Sequence, residues 1–342
     1  MEVAEKAGVS LGTVSRVINN DVHVADETRE RVLAVTKELG YVANRQARGL
    51  KGSKTNIIGV LVPDLGTGYI GEIIRGIDTE IGIGQLDLML FTTHRMADKE
   101  ASYVANMMEG MVDGLLIVLP RNPSDYISTL THRKFPFVLI DHQGATEHPC
   151  PSVGATNWQG AYKATEYLIK LGHRRIGFIT GWMDLGAATD RLDGYKSALR
   201  TYHIPENPDL IYEGTFNQPD GYAGTNALLE LKAPPTAIFA SNDVMAMGAM
   251  DAVRNRGLRI PEDISILGFD DIPQSAVVRP ALTTVRQPLE QMGRVATQML
   301  VDILSEPGKE SDQIKLPTEL IIRGSAKPPK TGPANSPRQP TL

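Results

Sequence analysis

Two hydrophobic patterns divide the chain near residue 55. Before that point apolar residues recur at helical spacing, as at Val14, Val17 and Ile18, and the pattern predicts helices only. From Ile57 onward, short continuous apolar runs alternate with amphipathic stretches. Such alternation is typical of parallel, doubly wound sheets, in which both faces of each strand are covered. The sequence therefore predicts a small all-α head followed by a larger α/β core.

The α/β part holds more strand and helix units than one sheet comfortably takes, which predicts two similar subdomains. The predicted strands are 57–63, 86–92, 114–119, 135–141, 175–181, 236–241 and 264–270. The predicted helices are 71–84, 98–110, 158–171, 190–201, 243–256 and 288–304. Several strands end in polar residues, among them Asp141 and Asp270. Because ligands of such folds bind at the carboxyl ends of the strands, we expect the binding site there.

Residues 8–20 have the features of the turn and second helix of a helix-turn-helix. Gly8 permits the left-handed backbone of a tight turn, and Ser10 is suited to cap the helix that follows. The helix face opposite the buried stripe carries small, polar and arginine side chains, a composition that suits the DNA major groove. These residues are Leu11, Gly12, Ser15, Arg16 and Asn19.

Two further helices complete the predicted head. One runs from Asp26, as its cap, to Gly40, and its residues Val32, Leu33 and Leu39 are expected to pack on the other helices. The helix before Gly8 is only about seven residues long and has no capping residue, which predicts a frayed first turn. We therefore expect either a native start upstream of Met1 or a trimmed chain.

The charge distribution indicates the kind of ligand that the head binds, and the composition indicates the cellular compartment. The net charge is −5, yet basic residues outnumber acidic ones in residues 1–54, whereas acidic residues dominate the remainder. A basic head on an acidic body fits a DNA-binding module. The sequence shows no membrane-length apolar run and no secretory signal, and its single cysteine, Cys150, excludes internal disulfides. These features predict a cytoplasmic protein.

Motifs for catalysis are missing from the sequence. It contains no Walker lysine motif, no Gly-x-Ser-x-Gly elbow and no histidine pair at zinc spacing. We therefore expect no catalytic residues, no metal and no cofactor. Gly66–Gly68, before a predicted helix, could hold a phosphate at the helix N-terminus. No Lys or Arg nearby is assigned to that segment, so a phosphorylated ligand is the second choice.

The chain resembles the LacI/GalR family of bacterial transcription regulators over residues 2 to about 325. The matching motifs are residues 3–10, 13–19, 40–44, 171–177, 191–195, 241–243, 257–264, 268–271 and 280–284. The resemblance implies an N-terminal helix-turn-helix, a hinge helix and a core like periplasmic sugar-binding proteins. In that core the chain crosses between subdomains three times, near 156–158, 284–287 and 317–319.

The domain boundaries follow from the resemblance and the composition. The head is residues 1–43, and the hinge helix with its linker is 44–56. The N-subdomain is 57–156 plus 287–317, and the C-subdomain is 157–286 plus 318–326. Residues 327–342 contain five prolines and no hydrophobic pattern, so we expect a disordered tail.

The resemblance also implies roles in DNA recognition. Leu11, Gly12 and Arg16 occupy positions that read base edges, whereas Thr13, Ser15 and Asn19 bind phosphates. Asn44 begins the implied hinge helix, in which Ala47 packs against the partner hinge and Leu50 wedges into the minor groove. The alternatives are a solvated surface role for Arg16 and a flexible basic linker in place of the hinge helix.

An effector site between the subdomains is implied in the same way. Arg191 clamps the effector, Asp270 accepts bonds from it, and Asp141 and Asn242 face the same cleft. Phe216 forms an aromatic platform, and Tyr69 and Ile70 line the wall. This inventory suits a neutral polyol. Asp270 could instead cap a helix or bridge to Arg191, and Phe216 could be core. Trp158 is expected to pack within the protein. For Trp182, stacking on a sugar and packing within the protein are equally open.

The implied function is repression of carbohydrate-use genes by a homodimer bound to a pseudo-palindromic operator, without membrane contact. Residues 71–84 and 276–284 are the expected dimer contacts. A sugar-like effector changes operator affinity only through its different affinities for two states of the core. The alternatives are a phosphosugar or nucleobase corepressor and a regulator without an effector.

Overall fold

The computed structural model describes residues 1–18, 21–40, 54–121, 123–142, 150–306 and 312–330. The chain divides into two compact units: the first, called the head, is Met1–Thr55 with Glu109–Met111, and the second, called the core, is Asn56–Met108 with Val112–Leu342. Asn19 and the implied hinge residues Asn44, Ala47 and Leu50 lie outside the described residues.

Three helices form the head: α1 (Glu2–Ala7), α2 (Leu11–Ile18) and α3 (Asp26–Glu38). Gly8 ends α1 in the left-handed conformation, with φ 64°. Ser10 caps α2, because its Oγ accepts the backbone N–H of Thr13 at 3.1 Å. Small aliphatic side chains fill the interior, namely Val3, Ala4, Ala7, Val14, Val17, Val24 and Val32.

Two predictions for α3 are wrong by one position. Asp26 is the first helical residue rather than the cap, and Ala25 before it supplies no side-chain bond. Leu33 is 48% exposed, whereas Val32 is fully buried. One residue turns a helix by about 100°, so only one of two neighbours can face the core. No side chain caps α1, as the sequence predicts.

Twelve strands are present in the described part of the core, and they are listed here in chain order: β1 (Ile57–Val62), β2 (Asp87–Thr92), β3 (Gly114–Val118), β4 (Phe137–Ile140), β5 (Ser152–Ala155), β6 (Ile176–Ile179), β7 (Ile211–Tyr212), β8 (Ala237–Ala240), β9 (Ser265–Asp270), β10 (Thr283–Arg286), β11 (Gln313–Leu316) and β12 (Glu319–Ile321).

The α-helices of the described core are α4 (Gly68–Gly84), α5 (Ala97–Met108), α6 (Ser124–His132), α7 (Asn157–Lys170), α8 (Gly186–Thr201), α9 (Gln218–Leu229), α10 (Asp243–Asn255), α11 (Gln274–Val277) and α12 (Leu289–Ser305). They alternate with the strands along the chain, which is the alternation that the hydrophobic pattern predicts.

The strands form two sheets of the same design. The first has the order β2-β1-β3-β4-β5-β11, and the second has the order β7-β6-β8-β9-β10-β12. The described strand pairs are parallel except β10 with β12, which is antiparallel. Central strands such as β1 and β3 are buried along their whole length, because helices cover both faces. The predicted doubly wound fold of two subdomains is confirmed.

Helices α4 and α12 pack closely over the first sheet through two glycines. A Cβ at Gly76 would lie 2.0 Å from the carbonyl oxygen of Glu290, and one at Gly293 would lie 2.2 Å from that of Ile73. Only glycine permits this approach. The packing holds α4 against α12, and the first turn of α4 reaches the site described below.

The chain passes between the sheets three times: between β5 and α7, between β10 and α12, and between β11 and β12. Thr156 and Thr318 join the first and third passages, since their hydroxyls lie 3.0 Å apart and Thr318 N donates to Thr156 Oγ1 at 2.9 Å. The second passage, at Gln287–Pro288, falls at the end of the range implied by the resemblance or just beyond it.

The expected disordered tail does not begin at Lys327. The carbonyl oxygen of Lys327 lies 2.9 Å from His173 Nε2, and its N–H donates to Ser265 Oγ at 3.1 Å. Lys330 pairs with Asp263. The backbone of Lys327 and the side chain of Lys330 thus tie this Pro-rich stretch to the second subdomain. Residues 331–342 lie outside the described residues.

Candidate functional site

All seven residues that the sequence assigns to the effector line a single cleft between the two sheets, a space of about 490 Å³ that is partly open to solvent. They are Tyr69, Ile70, Asp141, Arg191, Phe216, Asn242 and Asp270. Six further residues line it without having been predicted: Thr67, Arg95, Leu119, Leu185, Ala187 and Val244. Each wall is formed by segments that follow the carboxyl ends of strands, as the strand-end rule predicts.

One wall comes from the first subdomain. Thr67 caps α4 and places Tyr69 in its first turn, where the Tyr69 hydroxyl donates to Asp141 Oδ2 at 2.7 Å. Asp141 directly follows β4. Burial, together with the nearby carboxylates of Asp141 and Asp270, raises the pKa of Tyr69 well above its ordinary value. The phenol therefore keeps its proton and remains a hydrogen-bond donor to Asp141.

The opposite wall is organised by Arg191 on α8. Its Nε donates to Asn157 Oδ1 at 2.8 Å, and its Nη1 donates to the carbonyl of Ser241. Nη1 also lies 3.6 Å from Asp270 Oδ1, so the bridge considered as an alternative role for Asp270 is present. The guanidinium carbon lies 4.0 Å from the ring centre of Phe269. This cation is thus held on several sides within the protein.

Asp270 is buried at the end of β9. Gln287 Nε2 donates to its Oδ1 at 2.7 Å. Burial raises the pKa of Asp270 well above its ordinary range, and the charge of Arg191 opposes that rise. Ionising this carboxyl is therefore costly unless a donor stands close to it.

Sequence reasoning missed Asn157 and Gln287. Both are buried and both lie where the chain passes between the sheets. Asn157 bonds to Arg191, and its Nδ2 lies 3.5 Å from Asp141 Oδ1. Polar contacts consequently run from Tyr69 across the cleft floor to Gln287. The positions of the passages were the only available signal, and they do not tell which side chain points inward.

Phe216 lines the cleft and also packs against the core of the second subdomain. Its ring lies on Gly181, where an added Cβ would be 1.9 Å from Cζ. Asn242 holds the segment in place, since it caps α10 through Met245 N and donates to the carbonyl of Phe216 at 3.0 Å. The platform and core roles considered for Phe216 are therefore compatible.

Left-handed backbone recurs around the cleft. Leu119, Asp141, Phe216 and Asp270 have φ values of 49°, 56°, 63° and 115°. Non-glycine residues rarely adopt such values, and they concentrate at functional sites. Leu119, Asp141 and Phe216 follow strands and Asp270 is the last residue of β9, so the backbone bends at these strand ends where the residues line the cleft.

The two tryptophans differ in position. Trp158 stacks on Tyr162 with ring centres 5.3 Å apart and is absent from the cleft lining, as predicted for a packing residue. Trp182 lies beside the cleft, in a chamber that adjoins it.

In the head, helix α2 presents its predicted DNA-reading residues to solvent. Leu11, Gly12, Ser15 and Arg16 are exposed. Thr13 is half-buried and its hydroxyl lies 3.0 Å from that of Ser10. In the described ranges, no helix is long and apolar enough to cross a membrane, and no His, Cys, Asp and Glu cluster is suited to a metal ion.

Comparison with known proteins assigns these two units. Residues 1–44 match the model of bacterial regulatory proteins of the lacI family, and residues 165–326 match that of a periplasmic binding protein-like domain. The HTH-type transcriptional repressor PurR of Erwinia tasmaniensis is 37% identical over 325 residues, which cover 95% of each chain. The chain belongs to the LacI family.

Solved structures of the LacI family agree. The Lac repressor dimer bound to operator and the anti-inducer ONPF has a TM-score of 0.82 at 29% identity, covering 95% of this chain and 98% of that one. The regulator CelR in complex with cellobiose has a TM-score of 0.73 at 31% identity, with the same coverage. The chain is therefore a DNA-binding transcriptional repressor of the LacI family and not an enzyme, as the sequence predicts.

Proposed function

We propose that this LacI-family repressor controls genes of carbohydrate use and that a neutral sugar in the cleft sets its affinity for operator DNA. The observation that carries the proposal is the donor and acceptor set of the cleft. Two buried carboxylates, Asp141 and Asp270, line the cleft together with the Arg191 guanidinium, whose Nε and Nη1 already donate to groups of the protein. Sugar hydroxyls both donate and accept, so they match such a mixed set.

Charge argues against a phosphorylated ligand. A phosphate would place additional negative charge beside Asp141 and Asp270 in a poorly solvated space. Arg95 also lines the cleft, but its Nη2 already lies 3.5 Å from Asp64. A neutral ligand avoids this repulsion. The face of Phe216 supplies the apolar surface on which a sugar ring stacks, and the related CelR structure holds cellobiose.

The cleft network suggests how a sugar acts on DNA binding. Bonds from Tyr69 to Gln287 involve both subdomains, so a ligand that exchanges them for its own bonds favours one arrangement of the subdomains over another. In this proposal residues 44–56 transmit the change to a head of residues 1–43, and two heads of a cytoplasmic homodimer read the half-sites.

Exposed apolar residues support the dimer contacts. Ile83 at the end of α4 is 70% exposed and Val277 at the end of α11 is 67% exposed. Large apolar side chains at such exposure mark surfaces that a partner covers. Both lie within the segments proposed for the dimer, 71–84 and 276–284.

The test starts from duplexes that the purified protein selects out of random DNA. Operator affinity is then measured by fluorescence anisotropy with neutral mono- and disaccharides, sugar phosphates and nucleobases. We expect only neutral sugars to change the affinity. Phe216→Ala should abolish the response without changing sugar-free operator binding, and Tyr222→Ala, an exposed aromatic outside the cleft lining, should preserve it.

Other outcomes have clear meanings. A response confined to sugar phosphates or nucleobases would replace the sugar by that class. If the protein selects an operator but none of these ligands changes its affinity, the result would favour a regulator that has no effector among neutral sugars, sugar phosphates and nucleobases.

A further inference from the structure

A second chamber, called here the outer chamber, adjoins the effector cleft and spans about 300 Å³, part of which is open to solvent. It shares Arg95, Leu119 and Leu185 with the cleft, so the two spaces meet along these side chains. Its other lining residues are Pro63, Thr93, Glu100, Arg121, Trp182 and Asp184.

The outer chamber contains a hydrogen-bond donor that its surroundings do not use. The indole Nε1 of Trp182 is buried and has no acceptor among the described residues. An indole N–H can only donate, and buried tryptophans usually find an acceptor. An oxygen-bearing ligand in this chamber would supply one.

Two charged side chains stand beside that indole. Arg121 Nε donates to Asp184 Oδ2 at 2.9 Å, and the guanidinium carbon lies 5.3 Å from the centre of the Trp182 ring. Both charged side chains keep access to solvent, at 38% and 44% exposure. Glu100, in contrast, is buried and already accepts from Tyr126 Oη at 2.6 Å. An aromatic face beside an accessible carboxylate and guanidinium fits the apolar face and the hydroxyls of a sugar ring.

The outer chamber is assembled from both subdomains. Arg121 follows β3 of the first sheet, whereas Trp182 and Asp184 follow β6 of the second. A ring bound there would contact both walls of the cleft. It would therefore add to the difference in affinity between two subdomain arrangements, which is the quantity that controls DNA binding.

We propose that the outer chamber binds a second sugar ring, so that the effector is a disaccharide or a longer saccharide rather than a monosaccharide. The inference rests on the proposed function, because it takes the first ring to occupy the cleft between Phe216 and Asp270. The side chains of Leu119 and Leu185, shared by the two spaces, then flank the glycosidic link.

Calorimetric titration of the full chain tests this with glucose against cellobiose and maltose, and galactose against lactose and melibiose. We expect a disaccharide to bind at least about tenfold more tightly than its component monosaccharide. Trp182→Ala should remove that advantage and leave monosaccharide binding unchanged. Trp182→Phe should retain part of it, because the ring remains and only the N–H is lost. Trp158→Ala, the same change away from the cleft, should alter neither affinity.

A second measurement leaves the chamber intact and so does not depend on how Trp182→Ala folds. The chain has two tryptophans, so Trp158→Phe leaves Trp182 as the only one. Its fluorescence should change with the binding disaccharide and not with the monosaccharide. Equal monosaccharide and disaccharide affinities with an unresponsive Trp182 would overturn the second-ring site and leave the sugar proposal standing. If none of these sugars binds, the sugar proposal fails and the second-ring site fails with it.

Discussion

The head and the core hold their functional side chains in opposite ways. In the head, Leu11 is 55% exposed and Arg16 is also exposed, so the predicted DNA-reading face needs no internal partners. In the core, Arg191 and Asp270 are each only 3% exposed and lie against one another. The head presents these side chains exposed to solvent, whereas the cleft side chains are buried and bonded to one another.

This difference teaches what each site contributes to stability. Exposed residues of α2 can be changed without disturbing the valine-rich interior of the head. Cleft residues stabilise the fold in addition to their proposed ligand contacts, since removing one leaves a buried partner unsatisfied. In the proposed function, a ligand of the cleft exchanges these internal bonds for its own, and that exchange couples binding to the arrangement of the subdomains.

The largest effect is expected from breaking one ion pair in each unit. Asp270→Ala leaves the Arg191 guanidinium without its buried partner and should lower the free energy of unfolding by about 3–5 kcal/mol. Glu38→Ala breaks the exposed Lys6–Glu38 pair, 2.7 Å long, and should cost about 0–1 kcal/mol. Urea denaturation measures both costs: tryptophan fluorescence follows the core, and the part of the circular dichroism change that fluorescence does not show follows the head. If the two substitutions lowered the free energy of unfolding equally, the contrast between the buried pair of the core and the exposed pair of the head would be wrong.

The pH dependence of the core should be the next largest effect. Burial raises the pKa of Asp243 to about 7, although Ser275, Thr284 and the N–H of Ile272 donate to it. The same carboxyl has a pKa of about 3.9 in an unfolded chain. Below about pH 4 this carboxyl is protonated in both the folded and the unfolded chain, and the stabilisation that its raised pKa gives to the folded state is fully present. That stabilisation is lost as the pH rises from about 4 to 7.

We therefore expect the core to lose up to about 1.4 kcal/mol of stability per pH unit between these values through Asp243 alone. Asp243→Asn should flatten that part of the profile, measured by urea denaturation at a series of pH values. In the head, the pKa of the exposed Asp21 is lowered, mainly by the bond from the backbone of His23. Asp21→Asn should consequently leave the core profile unchanged. Identical profiles for the wild type and Asp243→Asn would contradict the assignment.

The DNA-reading face gives a smaller effect and no loss of fold. Arg16→Ala should weaken binding to the selected operator by roughly 1–3 kcal/mol and relax preference at one base pair. Arg31→Ala removes the same charge from an exposed position of α3 and should weaken binding to all DNA sequences alike. Anisotropy with operator and scrambled duplexes separates these cases. If Arg16→Ala weakened both duplexes equally, Arg16 would contact phosphate rather than a base.

The sequence predicts the cleft better than it predicts the contacts inside it. Two rules converge on Asp270: parallel strands bring their carboxyl ends together, and the family motif of residues 268–271 marks the same position. Asp141 follows from the strand-end rule alone. Asn157 and Gln287 follow neither rule. Their inward direction depends on how two separate sheets face one another, which no local periodicity records.

The sequence also does not predict which of two neighbouring apolar residues on a helix is buried, or where short edge strands lie. Leu33 and Val32 are both apolar neighbours, and only the packing of three helices decides that Val32 is buried. Strands β7 and β12 have two and three residues, too few to show a period. The roles of Trp182 stayed open because they depend on Arg121, which comes from the other subdomain.

The smallest predicted effect concerns two serines on one helix of the head. Ser10→Ala removes the cap that accepts Thr13 N–H and should destabilise the head by about 1 kcal/mol. Ser15→Ala, on the exposed face of the same helix, should leave stability unchanged and weaken operator binding, because Ser15 is predicted to contact phosphate. Circular dichroism reports on the helices of both units and the two tryptophans report on the core alone, so a change in the first signal without the second belongs to the head. If Ser15→Ala lowered stability as much as Ser10→Ala, the exposed face of α2 would depend on internal contacts as the cleft does, and the contrast between the two units would fail.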